Sequence, residues 1–343
     1  MNYSSKSLAV KYRPKTLNEI VAQETITDIL ENQIKTKTFR NTVLFTGPAG
    51  TGKTTAARAF ANLLNNGKGK PIEIDAASNN SVDDVRNIIV KAQQKSIDSD
   101  YKVFIIDECH VISSAGFQAF LKLIEEPPIN TVFIFCTTDP QKIPNTILSR
   151  VQRFEFKRIP FEQIVNRLKY ILQQEGITEY EDSAIAFIAK SAAGGMRDAI
   201  TSLDKALAYS QKLTLESVIK ALGSVDYKVY FNLTNAIIDY KEIDVIDIIE
   251  SCYRDGSDIK QFVKNYTTFL LDVCKYCICK DFEYIQIPQT YKEDLDYIIP
   301  EKDFLKYLLS EVNTLNSDIK WEASPKSIVE LKLLALTQPE NAK

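Results

Sequence analysis

The stretch Gly47-Pro-Ala-Gly-Thr-Gly-Lys53-Thr54 directly follows the apolar run Thr42-Val-Leu-Phe45 and opens a helical pattern. Its glycines allow backbone N–H groups to turn inward around phosphate oxygens, and the N-terminus of the following helix favours negative charge. Lys53 is predicted to reach the β and γ phosphates of ATP, and the Thr54 hydroxyl to bind Mg²⁺. Because the strand and the helix that this motif needs are both present, a phosphate-binding loop is favoured over a plain glycine turn. The predicted nucleotide contacts are Gly47, Pro48, Ala49, Gly50, Thr51, Gly52, Lys53, Thr54 and Thr55.

Two neighbouring carboxylates end another apolar run, Val103-Phe-Ile-Ile-Asp107-Glu108. Open parallel sheets place their ligands at the carboxyl ends of their strands, so both side chains are expected beside the phosphate loop. Asp107 is predicted to hold the magnesium shell, and Glu108 to orient and deprotonate the attacking water. The alternative is a pair of acidic residues that begins a solvated loop, and the upstream phosphate loop favours the catalytic interpretation.

Short apolar runs alternate with helical segments over the first 160 residues. This alternation predicts an α/β fold with a parallel sheet and helices on both of its faces. The middle strands are apolar on both faces, as expected of strands buried under helices. The five predicted strands are Thr42–Phe45, Ile72–Ile74, Val103–Ile106, Val132–Phe135 and Phe154–Phe156.

Strand patterns fade after Pro160, and amphipathic helical patterns replace them. Gly223–Asp226 is interpreted as a hinge, and the chain is again helical from Tyr227 onward. Three domains are therefore predicted: a nucleotide-binding domain over residues 1–160, a small helical lid over 161–222 and an all-α domain over 223–343. The helices predicted in the lid are Gln163–Gln174, Ser183–Lys190 and Arg197–Tyr209.

Charge is distributed unevenly along the chain. Residues 1–160 carry 21 Lys and Arg against 16 Asp and Glu, a net charge of +5, whereas the remaining residues have a net charge of −8. This asymmetry is compatible with a first domain that meets phosphate and a last domain that meets protein. The polar start MNYSSKS has no apolar signal-peptide segment, and no apolar stretch is long enough to span a bilayer. A cytoplasmic protein without membrane contacts and with reduced cysteines is expected.

Two motifs permit a helicase or a metal interpretation. His110 is the only histidine and lies in Asp107-Glu-Cys-His110, which resembles the box of DExH helicases. No second motor domain with an arginine-rich helicase signature follows, so a structural or supporting role is favoured for His110.

The run Cys274-Lys-Tyr-Cys277-Ile-Cys279 contains a CxxC pair, but no second pair or histidine lies nearby. Buried helical thiols are favoured there over a zinc site.

Further motifs point to a known family. They are Lys11-Tyr-Arg-Pro14, Val21-Ala-Gln-Glu24, Ile74-Asp-Ala-Ala-Ser78, Ile106-Asp-Glu-Cys-His110, Leu123-Ile-Glu-Glu-Pro-Pro128, Thr137-Thr-Asp-Pro-Gln-Lys142, Ile147-Leu-Ser-Arg150 and Gly194-Gly-Met-Arg-Asp198. With the phosphate loop, they resemble the motifs of the AAA+ ATPase subunits of bacterial sliding-clamp loaders, the gamma/tau subunits of DNA polymerase III. The resemblance implies an AAA+ P-loop NTPase domain followed by a small helical lid and an all-α collar domain for oligomerisation.

The resemblance also implies roles for individual residues. Thr138 is the expected sensor of the γ-phosphate, and Arg197 is a second sensor that reaches from the lid. Arg150 is the expected arginine finger, which acts on the neighbouring subunit's ATP because a finger at a domain surface cannot reach its own phosphates. The alternative for Arg150 is a surface salt bridge. The adenine pocket is expected to be lined by Tyr12, Arg13, Pro14 and Val21. The residues expected to act in catalysis are Lys53, Glu108, Thr138, Arg150 and Arg197.

Three features depart from the pattern of this family. Relatives often carry a four-cysteine zinc module where this chain has only Asn65-Asn-Gly-Lys-Gly-Lys70, so no zinc is expected. The usual Ser-Arg-Cys is Ser149-Arg150-Val151 here, which keeps the arginine. The sequence ends at Lys343 without the long extension by which tau-type subunits meet polymerase and helicase. The resemblance therefore leaves contacts with polymerase and helicase open, and a compact or a phage-type loader subunit fits the pattern.

These observations lead to a hypothesis of function. ATP at subunit interfaces is expected to hold a pentameric spiral of loader subunits that opens a ring-shaped clamp, and primed DNA then triggers hydrolysis. The resemblance implies that helices beginning near Ser81 and Ser113 line the spiral and that Arg86 contacts the DNA backbone. The alternative for Arg86 is an ordinary surface arginine. The alternatives are a non-hydrolysing scaffold subunit, against which the intact phosphate loop argues, and another AAA+ remodeller that moves branched DNA.

Overall fold

The computed structural model describes residues 7–223 and 227–337. These residues form two compact units. The first contains the described residues up to Thr178 together with Ile188–Lys205, and the second contains Glu179–Phe187 and the described residues from Ala206 onward. Residues 224–226 of the hinge predicted at Gly223–Asp226 lie outside the described residues. The division into three domains stays a prediction.

A five-stranded parallel sheet with the order β2-β3-β4-β1-β5 is the centre of the first unit. Its strands are β1 Thr42–Thr46, β2 Ile72–Asp75, β3 Lys102–Asp107, β4 Thr131–Thr137 and β5 Gln152–Glu155. The predicted α/β fold class and the five strands are confirmed. The last strand begins earlier than predicted and ends at Glu155, although the Phe156 N–H still donates to the Thr46 carbonyl at 2.7 Å.

The helices are described in chain order. They are α1 Leu8–Lys11, α2 Glu24–Lys35, α3 Lys53–Leu64, α4 Val82–Gln93, α5 Ser114–Glu125, α6 Asn145–Leu148, α7 Phe161–Gln174, α8 Asp182–Ser191, α9 Met196–Tyr209, α10 Leu215–Ala221, α11 Tyr227–Ile238, α12 Glu242–Arg254, α13 Ile259–Cys279, α14 Lys292–Ile298, α15 Lys302–Asp318 and α16 Pro325–Ala335. Short 3-10 helices cover Leu17–Glu19, Cys109–Val111, Pro140–Lys142, Phe282–Tyr284, Gln289–Tyr291, Ile299–Glu301 and Ile319–Trp321.

The two faces of the sheet are buried by different helices. On one face, alternate strand residues such as Phe45 and Ile105 share a buried cluster with α2 and α3. On the other face, Phe104 and Phe133 stack with ring centroids 5.1 Å apart and share a cluster with α4 and α5. Successive strand residues point to opposite faces, so strands that are covered on both sides must be almost wholly apolar. This arrangement leaves the carboxyl ends of the strands as the place for polar groups.

Serine hydroxyls cap α4 and α5, the two helices that were predicted to begin near Ser81 and Ser113. The Ser81 hydroxyl accepts the Asp84 N–H of α4, and the Asp84 carboxylate accepts the Ser81 N–H in return. The Ser113 hydroxyl accepts the Gly116 N–H of α5 at 3.1 Å. Such caps satisfy backbone N–H groups that have no partner within the helix, and each contributes about 1 kcal/mol.

The second unit is helical from α10 onward, and its core is rich in aromatic residues. Phe231 and Phe269 pack edge to face, and the Tyr266 hydroxyl lies 3.0 Å from the Thr234 hydroxyl in the buried interior. Of the CxxC segment, Cys274 is buried, and burial raises its pKa to about 11. The prediction of buried thiols is thus right for Cys274 and wrong for Cys279, which is exposed. None of the described helices is both long and apolar enough to cross a membrane.

Candidate nucleotide-binding site

The phosphate loop connects β1 to α3 and requires glycine at its first position. Gly47 has φ +139°, and a Cβ at this residue would overlap the carbonyl oxygen of Phe156, which follows β5. Gly50 and Gly52 also have positive φ, +72° and +101°. The loop therefore folds tightly against the neighbouring strand, with the N-terminus of α3 directly behind it.

Substitution of Gly47 by alanine is expected to destabilise the protein more than the same change at Gly176. Gly176 also has positive φ, +72°, but apart from its chain neighbours none of the described residues has an atom within 4 Å of a Cβ at this position. Gly176→Ala should therefore lower the free energy of unfolding by about 1–2 kcal/mol, because alanine is strained in the left-handed conformation. Gly47→Ala also creates a steric overlap with the Phe156 backbone, which should lower the free energy of unfolding by about 1–3 kcal/mol more. Urea unfolding of the two variants measures the difference, and equal midpoints would contradict the packing argument.

Lys53 is the first residue of α3, and its ammonium lies inside the loop. Its Nζ donates to the carbonyl oxygens of Gly47 and Pro48, both at 2.8 Å. Burial lowers the pKa of Lys53, while the nearby carboxylates of Glu108 and Asp107 oppose this shift. The ammonium is thus held at the loop by neutral acceptors, and an anion that entered the loop would be a stronger partner.

Thr54 and Asp107 are in direct contact. The Thr54 hydroxyl donates to Asp107 Oδ2 at 2.7 Å, although 53 residues separate them in the chain. Because β3 lies beside β4, which pairs with β1, the end of β3 lies close to the start of α3. Hydroxyl and carboxylate oxygens are ligands that Mg²⁺ prefers, so this pair fits the predicted metal shell. No group of three or more His, Cys, Asp and Glu side chains in the described ranges is arranged to hold a metal ion.

Glu108 follows β3 in a left-handed conformation, with φ 47° and ψ 41°. Its N–H donates to Asp107 Oδ1 at 3.0 Å. Its side-chain Oε2 accepts the hydroxyl of Thr138, which follows β4, at 3.0 Å, and lies 3.3 Å from His110 Nδ1. Positive φ is uncommon for residues other than glycine and marks a position that its surroundings constrain. The predicted base and the predicted sensor of the γ-phosphate thus share a hydrogen bond.

A cleft of about 450 Å³ lies beside the phosphate loop. Its wall contains the four residues of the predicted adenine pocket, the second predicted sensor Arg197, residues 49–55 of the loop and helix start, and both carboxylates. Gly47, Pro48 and Thr138 line a neighbouring pocket instead. On one side, the Tyr12 hydroxyl donates to Glu175, and the Tyr12 carbonyl accepts Arg167 Nη2 at 2.9 Å. Burial and the Glu175 carboxylate raise the pKa of Tyr12, so the phenol keeps its proton. The predicted site residues in the cleft wall are Tyr12, Arg13, Pro14, Val21, Ala49, Gly50, Thr51, Gly52, Lys53, Thr54, Thr55, Asp107, Glu108 and Arg197.

Sequence comparisons match this chain to clamp-loader proteins. The family described as "DNA polymerase III, delta subunit" matches residues 70–160, and "DNA polymerase III clamp loader subunit, ATPase lid domain" matches residues 163–212. The DNA polymerase III subunit tau of Bacillus subtilis is 34% identical over 98% of this chain and 64% of its own length. The chain belongs to the DNA polymerase III gamma/tau family.

Other members of the gamma/tau family extend the comparison. The tau/gamma subunit of Haemophilus influenzae is 39% identical over 65% of this chain and 36% of its own length. The chain thus spans less than two thirds of the length of these relatives. Among solved structures, RuvB of Thermotoga maritima, a Holliday junction branch migration motor, superposes with a TM-score of 0.52 at 20% identity. That superposition covers 76% of this chain and 90% of RuvB, and it supports the AAA+ fold alone.

One main-chain hydrogen bond positions the second predicted sensor of this gamma/tau chain. The Met196 N–H at the start of α9 donates to the Gly50 carbonyl at 3.0 Å. A Cβ at Gly50 would lie 3.1 Å from the Gly195 Cα, so the two glycine segments approach each other closely. Arg197 is the next residue of α9 and therefore reaches the wall of the cleft.

Arg58 is a residue of the cleft that the sequence analysis missed. It lies one helical turn after Thr54 on α3, and its Nε donates to Glu73 Oε1 of β2 at 2.7 Å. Burial and the neighbouring Arg58 and Arg197 guanidinium groups lower the pKa of Arg13. The cleft therefore concentrates positive charge, which favours a polyphosphate. The i, i+4 spacing from Thr54 was a signal that could have identified Arg58.

Arg150 lies outside this cleft. It is exposed after α6, where its Nε donates to Glu125 Oε1 at 2.6 Å and its Nη1 to the Thr146 carbonyl at 2.9 Å. The surface salt bridge considered from the sequence is therefore present within this chain. Arg86 of α4 is also exposed and lies 3.0 Å from Asp83. Action of Arg150 on a neighbouring subunit and DNA contact by Arg86 stay predictions.

Proposed function

We propose that this chain is the ATPase subunit of a sliding-clamp loader, which uses ATP to open a ring-shaped clamp and place it on primed DNA. One observation carries the proposal: Lys53, the Thr54–Asp107 pair and the Glu108–Thr138 pair all meet at the carboxyl end of one sheet. A subunit that only binds nucleotide does not need a carboxylate such as Glu108 beside a phosphate loop. Membership of the gamma/tau family supports the clamp and the primed DNA as partners.

Binding of ATP begins at the loop. The N–H groups of the loop and of the first turn of α3 surround the phosphates, and the Lys53 ammonium exchanges its carbonyl partners for phosphate oxygens. Thr54 and Asp107 would hold Mg²⁺, and the ion would supply positive charge to neutralise the phosphates during transfer. Arg197 approaches the same phosphates from α9, and the hydrogen bond from the Met196 N–H to the Gly50 carbonyl couples the position of this helix to the loop.

Hydrolysis depends on the carboxylate of Glu108. The oxygen of a water molecule attacks the γ-phosphorus, the bond from the γ-phosphorus to the oxygen shared with the β-phosphate breaks, and Glu108 accepts the proton of the water. Thr138 donates to Glu108 in this structure, so its hydroxyl must turn from Glu108 to meet a γ-phosphate. This exchange of partners couples the presence of the γ-phosphate to release of the base.

The assembly that we propose is a cytoplasmic hetero-oligomer of five loader subunits. The all-α domain predicted over residues 223–343 provides the collar through which subunits associate, and Arg150 completes the ATP site of the neighbouring subunit. Helices α4 and α5 face primed or double-stranded DNA, with Arg86 on its phosphate backbone. Contacts to phosphate do not read base sequence, which suits a protein that must act at any primer junction.

Measurement of ATP turnover in the reconstituted assembly tests the proposal. The purified chain is mixed with its partner subunits, and turnover is measured without additions, with clamp, with primed DNA and with both. We expect clamp and primed DNA together to give the highest rate of ATP turnover. The reason is that the Arg150 fingers align with the neighbouring ATP sites only in the complete complex. The assembly that carries Lys53→Met should stay inactive under every condition, which controls for contaminating ATPases.

Other outcomes identify the alternatives. ATP binding without turnover in the complete assembly would support a scaffold subunit that does not hydrolyse ATP. Turnover that responds to branched DNA junctions and ignores the clamp would support a different AAA+ remodeller. Turnover that ignores both clamp and DNA would contradict the loader proposal.

A further inference from the structure

His110 contacts the proposed catalytic base, although the proposed mechanism gives it no role. It lies in the 3-10 helix Cys109–Val111, directly after Glu108, and only 17% of its side chain is exposed. Its Nδ1 is 3.1 Å from the Thr137 hydroxyl oxygen and 3.3 Å from Glu108 Oε2. The imidazole therefore connects the last residue of β4 to the carboxylate that follows β3.

The neighbours of Nδ1 favour a hydrogen on this nitrogen. Glu108 Oε2 is a carboxylate oxygen and can only accept hydrogen bonds while it is ionised. A bare Nδ1 would direct its lone pair toward that oxygen, which is repulsive, whereas an N–H is attracted to it. The Thr137 hydroxyl oxygen accepts the Asp139 N–H at 3.0 Å and has a second lone pair that can accept the imidazole N–H. Thr137 thus orients the ring so that its N–H lies beside the carboxylate.

The geometry also shows why this contact matters for Glu108. Among the described residues, Thr138 and His110 are the two polar side chains within hydrogen-bonding or ion-pairing distance of the Glu108 carboxylate. In the proposed mechanism Thr138 leaves Glu108 to meet the γ-phosphate. Of the side chains that the structure describes, His110 is then the remaining partner of the half-exposed carboxylate.

We infer that His110 is a positioning residue, which holds the Glu108 carboxylate in line with the attacking water through a hydrogen on Nδ1. This inference rests on the proposed ATPase function. Small errors in the placement of a reacting group reduce rates strongly, by up to about 100-fold for a shift of 1 Å. His110 should therefore affect the rate of hydrolysis and leave nucleotide binding unchanged.

Three variants of His110 separate positioning from packing. His110→Asn keeps an N–H near the position of Nδ1, His110→Gln moves the amide toward the position of Nε2, and His110→Phe keeps an aromatic ring without any donor. In the reconstituted assembly with clamp and primed DNA, we expect His110→Phe to lower kcat by about 10- to 100-fold. His110→Asn should recover much of this loss and His110→Gln should not. KM for ATP and the thermal stabilisation by ATP should match those of the wild type.

A second measurement uses Glu108→Gln as the background. If His110 acts only through the carboxylate, adding His110→Phe to Glu108→Gln should lower the residual rate no further. Independent, multiplicative losses would overturn the inference, as would an unchanged or raised kcat of His110→Phe in a wild-type background. Equal rates for His110→Asn and His110→Gln would also overturn it, even if His110→Phe proved unstable.

Failure of the inference and failure of the proposed function give different results. If the wild-type assembly hydrolyses ATP in response to clamp and DNA but the His110 variants behave as the wild type, the inference alone is wrong. If the wild-type assembly binds ATP and shows no turnover, the proposed function fails, and the inference fails with it.

Discussion

Replacement of Glu108 by glutamine is expected to lower ATP turnover of the assembled complex by about 10²- to 10⁴-fold. The amide keeps the size of the side chain and an oxygen that can accept the Thr138 hydroxyl, but it cannot accept a proton from water. ATP binding should persist, because Lys53, Thr54 and the loop are unchanged. Single-turnover hydrolysis and equilibrium nucleotide binding, measured on the same preparation, test both parts of this expectation.

A control separates loss of the base from loss of negative charge. Glu162→Gln makes the same chemical change on an exposed residue in the first turn of α7, and its turnover should equal that of the wild type. A Glu108→Gln complex that hydrolyses ATP at the wild-type rate would remove Glu108 from the mechanism. Loss of ATP binding in this variant would show a structural role instead.

Replacement of Arg150 by alanine is expected to reduce turnover of the assembly by about 10³- to 10⁵-fold, the range known for arginine fingers. The guanidinium stabilises charge on the transferring phosphoryl group, and alanine has no group that can replace it. Within this chain Arg150 is held at the surface by Glu125 and lies outside the nucleotide cleft. Nucleotide binding by the isolated chain should therefore be unaffected, which fluorescence titration with a nucleotide analogue measures.

A mixing experiment tests whether Arg150 acts across subunits. Subunits with Arg150→Ala retain an intact site, and subunits with Glu108→Gln retain an intact finger. Complexes that contain both should hydrolyse ATP faster than complexes of either variant alone, because some interfaces combine an intact site with an intact finger. The absence of any recovery would argue against action in trans. Arg40→Ala, a change of an exposed arginine outside the cleft, provides the control for loss of surface charge.

The sheet and the phosphate loop could be predicted because their signals are local. A strand buried on both faces must be apolar along its length, as in the run that leads to Asp107, and this is visible without a structure. Gly47 likewise follows from the backbone geometry of a loop that turns inward around phosphate. The end of β5 was placed one residue too late, because Phe156 is buried in the same core and bonds to Thr46 although it lies beyond the strand.

Residues whose importance depends on distant neighbours were harder to identify. The spacing of Arg58 from Thr54 indicates a shared face of α3, but it could not show that Glu73 of β2 bonds to the Arg58 guanidinium. His110 was assigned only a structural or supporting role, since its sequence context could not show which oxygens lie near Nδ1. Thr137 and Thr138 are adjacent in the chain, yet one contacts His110 and the other Glu108.

By itself the sequence determined the class of fold, the phosphate loop and the pair of carboxylates, since each depends on residue types at short spacings. Only the tertiary structure decided which side chains and main-chain groups from distant segments meet. It joined Thr54 to Asp107, Thr138 and His110 to Glu108, and Met196 to Gly50. Local spacing specifies the conformation of a segment, whereas contacts between segments depend on the order and register of the strands, which place residues far apart in the chain at one end of the sheet.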